Sequence, residues 1–271
     1  MGKVVTKELT KYIEEIETDA IYSRLSKIKM IANNPMGVEI RKYGNATAFT
    51  VQNIPGPSFN KVKGMMDEDL AYLDDIINFY EEKGIPPRFE LTPAHATSPL
   101  YSSLTKRGLF HNDFLTNLYA DPQILSDYEN EYQSISIREF NGDEFDLFAE
   151  LYVSAFNMPK FLKENIANNN KVLHGSLEWK FYLACYQGEP AGMGVLYIGE
   201  KGAYLAAAGT IPSYRNKGIQ GKLIRYRMKE AQQRNCQLIV GQANFGTSSQ
   251  NNMERAGLKI AYTKSVWTHQ S

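Results

Sequence analysis

The sequence predicts an α+β protein of two lobes, each a mixed, mostly antiparallel twisted sheet flanked by helices. Segments with alternating apolar residues, such as 134–140, are typical of half-buried strands. Segments with apolar residues at steps of three and four, such as 143–156, are typical of helices. The two halves also match each other when Gly108 is aligned with Gly257, which indicates an internal repeat.

In the second half, the strand at 134–140 leads into the helix at 143–156, for which Asn141 or Asp143 is a candidate cap. Two β-rich runs joined by turn-forming residues then predict a hairpin. A third strand ends in a glycine-punctuated loop, which opens onto an amphipathic helix. A strand, a helix ending at the left-handed cap Gly257 and a final strand complete the order. The ranges after the first helix are 179–185, 190–198, 204–210, 237–242, 244–257 and 258–267.

The loop after the strand at 204–210 gives the clearest functional signal. Gly218 and Gly221 allow a ligand to approach the backbone closely, and the unpaired amides at the start of the next helix favour an anion. Arg215 and Lys217 add positive charge. The spacing is neither the dinucleotide fingerprint nor the magnesium-binding phosphate loop, so neither nicotinamide nor ATP is favoured. The sequence therefore predicts a pyrophosphate site.

Residues 210–220 resemble the acetyl-coenzyme A loop of the GNAT N-acetyltransferases, in which a strand ending in Val-x-Pro precedes Arg/Gln-x-x-Gly-x-Gly/Ala. Residues 210–212 match the strand end and 215–220 match the loop. Gln220 departs from the last position, although Gly221 follows. The element order of 134–269 is also that of a complete GNAT domain. The resemblance implies acetyl-CoA as cosubstrate, no metal, and these cofactor-binding residues: Gly209, Thr210, Ile211, Arg215, Asn216, Lys217, Gly218, Ile219, Gln220, Gly221, Asn244, Ser249 and Asn252.

The activity that this resemblance implies is transfer of an acetyl group to a primary amine of an unidentified small molecule or protein. Many family members carry an acidic tyrosine four residues before the helix-ending glycine, where this chain has Met253. Tyr204, Tyr214 and Tyr262 are substitutes, and the strand segment 205–209 lacks a carboxylate base. The catalytic residues are therefore unknown. A non-catalytic acyl-CoA sensor or scaffold is the alternative, and transfer from a charged RNA is a third reading that the neutral charge disfavours.

The first half lacks the binding pattern at the corresponding position. Residues 54–66 contain no Arg-x-x-Gly, prolines remove amide donors, and the acids at 67–69 would repel a pyrophosphate. We therefore expect residues 1–130 to form a degenerate GNAT-like lobe without cofactor, residues 134–271 to form the acetyl-CoA-binding domain, and 122–131 to link them. A hairpin at 38–51 and a helix at 67–83 are predicted within the first lobe. The acceptor pocket is expected between the lobes, near Phe59, Glu90, His95 or Asn244.

Global properties narrow the class of protein. The 271 residues are 43% hydrophobic, and 30 basic side chains balance 30 acidic ones, so no net charge favours nucleic acid or an anionic membrane. No apolar run reaches membrane length. Two cysteines predict reduced thiols and a cytoplasmic location, and four scattered histidines show no metal-ligand spacing. A helix at 7–31 is predicted to pack on the protein and is a candidate homodimer interface.

Overall fold

The computed structural model describes residues 4–54, 56–122 and 134–269. The described helices are α1 (Lys7–Lys29), α2 (Leu73–Glu81), α3 (Ser98–Lys106), α4 (Phe145–Phe156), α5 (Lys163–Lys171), α6 (Ile219–Gln233) and α7 (Ser248–Arg255). The described strands are β1 (Val38–Tyr43), β2 (Ala46–Val51), β3 (Lys61–Lys63), β4 (Arg88–Leu91), β5 (Leu109–Ala120), β6 (Ile135–Glu139), β7 (Trp179–Tyr186), β8 (Glu189–Ile198), β9 (Ala203–Thr210), β10 (Ile239–Asn244) and β11 (Lys259–His269). This mixture confirms the predicted α+β class.

Contacts divide the described residues into two compact units that interleave along the chain. The N-terminal unit comprises residues 4–54, 56–117, 242–247 and 260–269. The C-terminal unit comprises residues 118–122, 134–241 and 248–259. The expected lobe boundary at 130–134 stays a prediction, and the linker at 122–131 lies almost wholly outside the described residues.

The sheet of the N-terminal unit has the strand order β1-β2-β3-β4-β11-β5. The predicted hairpin is confirmed, since β1 pairs antiparallel with β2 from Val38↔Val51 to Tyr43↔Ala46. Strands β3 and β4 run parallel and register only at Val62↔Phe89, while β11 pairs antiparallel with β4. Helices α2 and α3 pack their apolar residues on this sheet, which places Phe89 in a fully buried core.

A network of buried charges lies beneath α1 in the N-terminal unit. The ammonium groups of Lys63 and Lys264 lie 3.0 and 2.8 Å from Glu17 Oε2. Lys61 Nζ lies 2.6 Å from Glu90 Oε1, and the Glu90 side chain is fully buried. Burial alone would raise the pKa of Glu90, but the Lys61, Lys264 and Lys63 charges hold that pKa well below 4.5. The Glu90 carboxylate therefore balances lysine charges inside this unit.

The sheet of the C-terminal unit has the strand order β10-β9-β8-β7-β6. Strands β7, β8 and β9 pair antiparallel, as predicted, and β6 pairs antiparallel with β7. Strand β9 and strand β10 run parallel. The face covered by α4 is aromatic, and the rings of Phe145 and Phe148 each lie within 5.5 Å of the Phe181 ring between centroids. These rings bury completely or nearly so, which anchors α4 on the sheet.

Three sequence predictions need correction. Helix α5, preceded by a 3-10 turn at Lys160–Leu162, was not predicted, because its sequence has few apolar residues at helical spacing. The cap of α4 is Glu144 rather than Asn141 or Asp143; its carboxylate accepts a hydrogen bond from the Asn141 amide at 2.8 Å. Strand β3 lies within 54–66, the segment compared with the cofactor loop, where no strand was predicted.

Both cysteines are free in the structure, Cys236 buried and Cys185 half-buried. Burial raises the pKa of each thiol. None of the described helices has the length and apolar character needed to cross a membrane. The described residues also contain no group of three or more His, Cys, Asp or Glu side chains placed to hold a metal ion.

The buried network predicts how the variant Glu90→Gln behaves. The substitution removes the carboxylate opposite Lys61 and leaves Glu17 as the carboxylate beside Lys63 and Lys264, so we expect it to lower the free energy of unfolding by about 3–5 kcal/mol at pH 7, measured by urea denaturation. The Glu90 pKa is lowered in the folded state, so its contribution is present above the unfolded pKa and is lost as pH falls below about 4.5. The variant should therefore lose less stability than the wild type between pH 5 and pH 3. Equal losses in both proteins would contradict this assignment.

Candidate functional site

Strand β9 leaves its parallel neighbour soon after it begins. The register between β9 and β10 covers only Ile239↔Ala203 and Val240↔Tyr204, while β9 continues to Thr210. On the other side, β9 stays paired with β8 as far as Gly192↔Thr210. One edge of segment 205–210 is therefore paired with β8, while its other edge has no registered pair with β10.

The loop that follows β9 is shaped by two residues in the left-handed conformation. After a 3-10 turn at Pro212–Tyr214, Asn216 has φ +62° and Gly218 has φ +82°. Glycine adopts this conformation without a steric cost, and asparagine tolerates it better than most residues. The chain turns sharply at both positions and enters α6 at Ile219, as the glycine spacing predicted.

The start of α6 has unused hydrogen-bonding capacity. Gly218 is the N-cap and has no side chain to accept from the first helical amides, while the first helical bond runs from the Lys222 amide to the Gly218 carbonyl. The preceding amides therefore lack intrahelical acceptors. At the end of β9, Thr210 Oγ1 is buried and has no hydrogen-bond partner. Unpaired donors at a positive helix end and an unpaired hydroxyl suit an anionic, oxygen-rich ligand.

The two basic residues of the loop are held by neighbouring groups. Arg215 Nη2 donates to the carbonyl oxygen of Ala155, the penultimate residue of α4, at 2.9 Å. Lys217 Nζ lies 4.4 Å from the ring centroid of Tyr186 and 5.6 Å from that of Tyr214. Both side chains are exposed while making these contacts. Their charges are thus fixed beside the loop before any ligand arrives.

The fold requires a glycine at one position of the site, Gly209, but not at another, Gly221. A Cβ added to Gly209 would lie 2.5 Å from the Ala155 Cβ, so this glycine is required by the packing of α4 on β9. A Cβ added to Gly221 would meet nothing closer than Arg225 at 3.7 Å. Gly221 also has no left-handed φ, so nothing in the described fold requires a glycine there. Its missing side chain leaves open space at the helix start.

Comparison with known proteins agrees with this geometry. Residues 145–257 match the model of the acetyltransferase (GNAT) family. The chain carries a GNAT acetyltransferase domain. The match begins with α4 and ends at Gly257, so it includes β9, the loop and α6. No curated protein matches the chain in a sequence comparison.

Solved structures share the fold over almost the whole chain. A GCN5-related N-acetyltransferase from Kribbella flavida is 12% identical, with a TM-score of 0.70 over 96% of this chain and 95% of its own. A tandem GNAT protein from the clavulanic acid biosynthesis pathway is 10% identical, with a TM-score of 0.61 over 99% and 97%. A GCN5-related N-acetyltransferase from Sphaerobacter thermophilus is 10% identical, with a TM-score of 0.59 over 99% and 94%. At this identity the likeness concerns the fold, and it confirms the predicted resemblance to tandem GNAT proteins.

The GNAT domain has no evident proton donor at the position where many relatives carry a tyrosine. Met253 is buried, and a Cβ on Gly241 would lie 2.5 Å from its sulfur, so Met253 fills space against β10. Tyr214 lies beside Tyr186 and Lys217. Tyr262 belongs to the N-terminal unit, where burial and then the Glu17 and Glu14 carboxylates raise the pKa of its buried hydroxyl. The catalytic residues therefore remain unassigned.

The remaining predicted site residues do not all lie in one unit. Ser249 is exposed on α7, and Asn252 accepts a hydrogen bond from Arg255 at 3.2 Å on the same helix. Ile219 is buried, and Ile211 donates its amide to the Ala191 carbonyl at 3.0 Å. Asn244 is exposed and is grouped with the N-terminal unit. The structure therefore brings together the residues from Gly209 to Gly221 in the GNAT domain. The binding roles of all of these residues stay predictions.

In the N-terminal unit, the 3-10 helix Asp67–Tyr72 follows the segment that corresponds to the loop, and it has a carboxylate of its own at its start. The Asp69 carboxylate accepts from the Met66 amide at 3.0 Å and from the Asn45 amide at 2.9 Å. Asp69 is 1% exposed. A carboxylate of the chain therefore lies at this helix start, where it would repel a second anion.

Sequence reasoning missed one residue of the GNAT domain. Arg227 lies on α6 among the apolar positions Leu223, Ile224, Met228 and Ala231, and it is only 2% exposed. A basic residue on the apolar stripe of a helix was the available signal. Burial lowers the pKa of Arg227 to about 10, so the guanidinium is charged at neutral pH.

The two glycines give a paired prediction for stability. We expect Gly209→Ala to lower the free energy of unfolding by about 1–3 kcal/mol, because the new methyl group would clash with Ala155. Gly221→Ala, in the first turn of α6 with room for a methyl group, should be neutral or stabilising by up to about 1 kcal/mol. Chemical denaturation of both variants measures the difference. A Gly221→Ala variant as unstable as Gly209→Ala would show that the helix start cannot accept a side chain.

Proposed function

We propose that this protein binds acetyl-CoA and transfers its acetyl group to a primary amine of a small molecule or protein. The observation that carries the proposal is the start of α6, where Gly218 leaves amides unpaired and Gly221 leaves space that the fold does not require. The amides of residues 216–221 would hold the pyrophosphate, with the fixed charges of Arg215 and Lys217 beside them. The edge of β9 beyond Tyr204 would align the pantetheine arm.

The bound cosubstrate would supply an acyl group activated as a thioester. The amine nitrogen forms a C–N bond to the acyl carbon as the C–S bond breaks, giving an amide and the coenzyme A thiol. The contribution of this chain is to hold the two reactants together, which replaces a bimolecular encounter by a local one. A backbone amide near Gly209 or Thr210 would polarise the acyl oxygen. The nitrogen loses one proton and the departing thiolate gains one; because segment 205–209 has no carboxylate, a water molecule would carry this proton between them.

A non-catalytic acyl-CoA sensor is the second candidate. The observation that favours it is Met253, which packs against Gly241 at the position where many relatives have a tyrosine acid. A sensor needs the pyrophosphate site but no acceptor or proton donor. The two candidates therefore predict the same cosubstrate binding and differ only in turnover.

The N-terminal lobe is proposed to bind no cofactor. The Asp69 carboxylate already bonds to the Met66 amide at the start of the 3-10 helix, and a second anion would be repelled. We further propose a cytoplasmic protein whose partners are acetyl-CoA and the amine, without nucleic acid or membrane. Helix α1 is the proposed surface for a homodimer. Since the N-terminal lobe is proposed to bind no cofactor, we expect one acetyl-CoA site per chain.

Titration calorimetry of acetyl-CoA tests the binding site. We expect one site per chain in the wild type and an affinity lower by about tenfold or more in Gly221→Ala, because its methyl group occupies the space at the helix start. Arg215→Glu, which places a negative charge beside the loop, should lose binding as well. Gly142→Ala is the matched control, since its Cβ would meet its nearest neighbour, His174, at an ordinary 3.4 Å. Wild-type affinity in a folded Gly221→Ala or Arg215→Glu variant would contradict the assignment of the acetyl-CoA site to the start of α6.

Release of coenzyme A thiol separates the enzyme from the sensor. Acetyl-CoA and the protein are mixed with polyamines, aminoglycosides, amino acids or lysine peptides, and free thiol is measured with and without each amine. Release that depends on one class of amine, and that Gly221→Ala reduces in step with binding, identifies the enzyme and its acceptor class. Binding without release from any amine favours the sensor.

A further inference from the structure

Arg227 is a buried cation without a carboxylate partner among the described residues. Its side-chain nitrogens donate instead to three carbonyl oxygens: Nε to Leu223 at 3.1 Å, and Nη1 to Val195 at 3.0 Å and Ala207 at 3.1 Å. Removing such a charge from water without an opposite charge is costly. An apolar side chain would fill the same position on the stripe of α6 at lower cost, so the hydrogen bonds need an explanation.

Two of these carbonyls lie at an irregularity between β8 and β9. The ladder pairs Val195 with Ala207 but Leu196 with Leu205, so Ala206 is an extra residue opposite β8. Such a bulge interrupts the ladder and bends the strand that carries the extra residue. Arg227 Nη1 bonds to one carbonyl on each strand at this interruption. It therefore joins the two strands where their own ladder is irregular.

The bulge lies just after the point where β9 leaves β10. The last recorded pair between these strands is Val240↔Tyr204, and the extra residue is Ala206. The segment from Ala207 to Thr210 thus begins at the carbonyl that Arg227 holds. Its path away from β10 depends on the bend at the bulge.

The neighbouring strand is shaped to admit Arg227. A Cβ on Gly194 would lie 3.2 Å from Arg227 Nε and 3.3 Å from its Cδ, closer than ordinary contact. Gly194 has no left-handed φ, so backbone conformation does not require a glycine there. The space of the absent side chain is taken by Arg227 and Leu223. The missing side chain of Gly194 therefore leaves the room that Arg227 occupies.

We propose that Arg227 is a positioning residue that fixes the bulged course of β9 and so shapes the strand edge along which the pantetheine arm of the cosubstrate binds. This inference rests on the proposed function and adds a residue to it. The hydrogen bonds of Arg227 go to backbone carbonyls of α6, β8 and β9, so it would act through the backbone of β9. It should therefore matter for the pantetheine arm and not for the pyrophosphate.

The test compares two ligands on variants of α6. Acetyl-CoA carries the pantetheine arm, whereas 3′-phospho-ADP carries the pyrophosphate and nucleotide without it. Arg227→Met removes the hydrogen bonds, and Arg227→Lys keeps the charge but not the planar fork. Lys229→Met is the matched control, because it also removes one positive charge, from an exposed position on the same helix. Circular dichroism and thermal melting establish that each variant is folded.

We expect Arg227→Met to weaken acetyl-CoA about tenfold or more and 3′-phospho-ADP by less than about twofold, with Arg227→Lys between wild type and Arg227→Met. Lys229→Met should leave the affinities for both ligands as they are in the wild type. Amide hydrogen exchange of residues 206–210 should be faster in Arg227→Met, which reports the course of β9 without any ligand. Should Arg227→Met not fold, Arg227→Lys and Gly194→Ala, whose methyl group displaces the guanidinium, carry the same comparison.

The outcomes separate this inference from the function on which it rests. A wild type that binds neither ligand overturns the proposed function and the inference with it. A wild type that binds both ligands, with folded Arg227 and Gly194 variants that lose both equally or lose neither, overturns the inference alone. Selective loss of acetyl-CoA supports it.

Discussion

The backbone conformation at Asn216 and Gly218 is the constraint on which the candidate site depends. Two left-handed residues on either side of Lys217 turn the chain from the end of β9 into the start of α6. Because Gly218 is the cap, no side chain of the cap satisfies the first helical amides. A serine or aspartate cap accepts from such amides from an extended backbone, whereas Gly218 has φ +82° and no side chain. The loop thus gives up a stabilising cap and retains an exposed positive helix end.

The N-terminal unit shows the opposite solution to the same problem. At its corresponding helix start, Asp69 bonds to the Met66 and Asn45 amides, and the helix end is neutralised from within. Its parallel strands β3 and β4 have a single registered pair, and beside them lie the buried charges of Lys63 and Glu90 and the half-buried charge of Lys61. Charges that are paired inside one unit cannot also serve a ligand. The N-terminal unit thus has paired, stabilising charges where the GNAT domain has unpaired groups.

The sequence predicted what depends on local pattern and missed what depends on tertiary contact. The alternation at 134–140, the helical spacing at 143–156 and the Arg-x-x-Gly loop are local signals, and the structure has β6, α4 and the loop where they indicate. Helix α5 was missed because its polar sequence, 163–171, has little apolar periodicity to report. The cap at Glu144 was missed because its stabilisation comes from Arg138 and the Asn141 amide together. Glu90 could not be read as a buried ion, since Lys264, one of its neighbours, lies far away in sequence.

Arg227 shows why the same limit applies to function. The sequence places Arg227 on the apolar stripe of α6, but only the contacts with Val195 and Ala207 show what its guanidinium holds. No acid is assigned in place of Met253, so under the proposed function placement of the reactants would supply much of the rate. Placement is sensitive to small shifts of the backbone that holds the substrate. A residue that fixes the course of β9 is then part of the chemistry, although it never meets the reacting atoms.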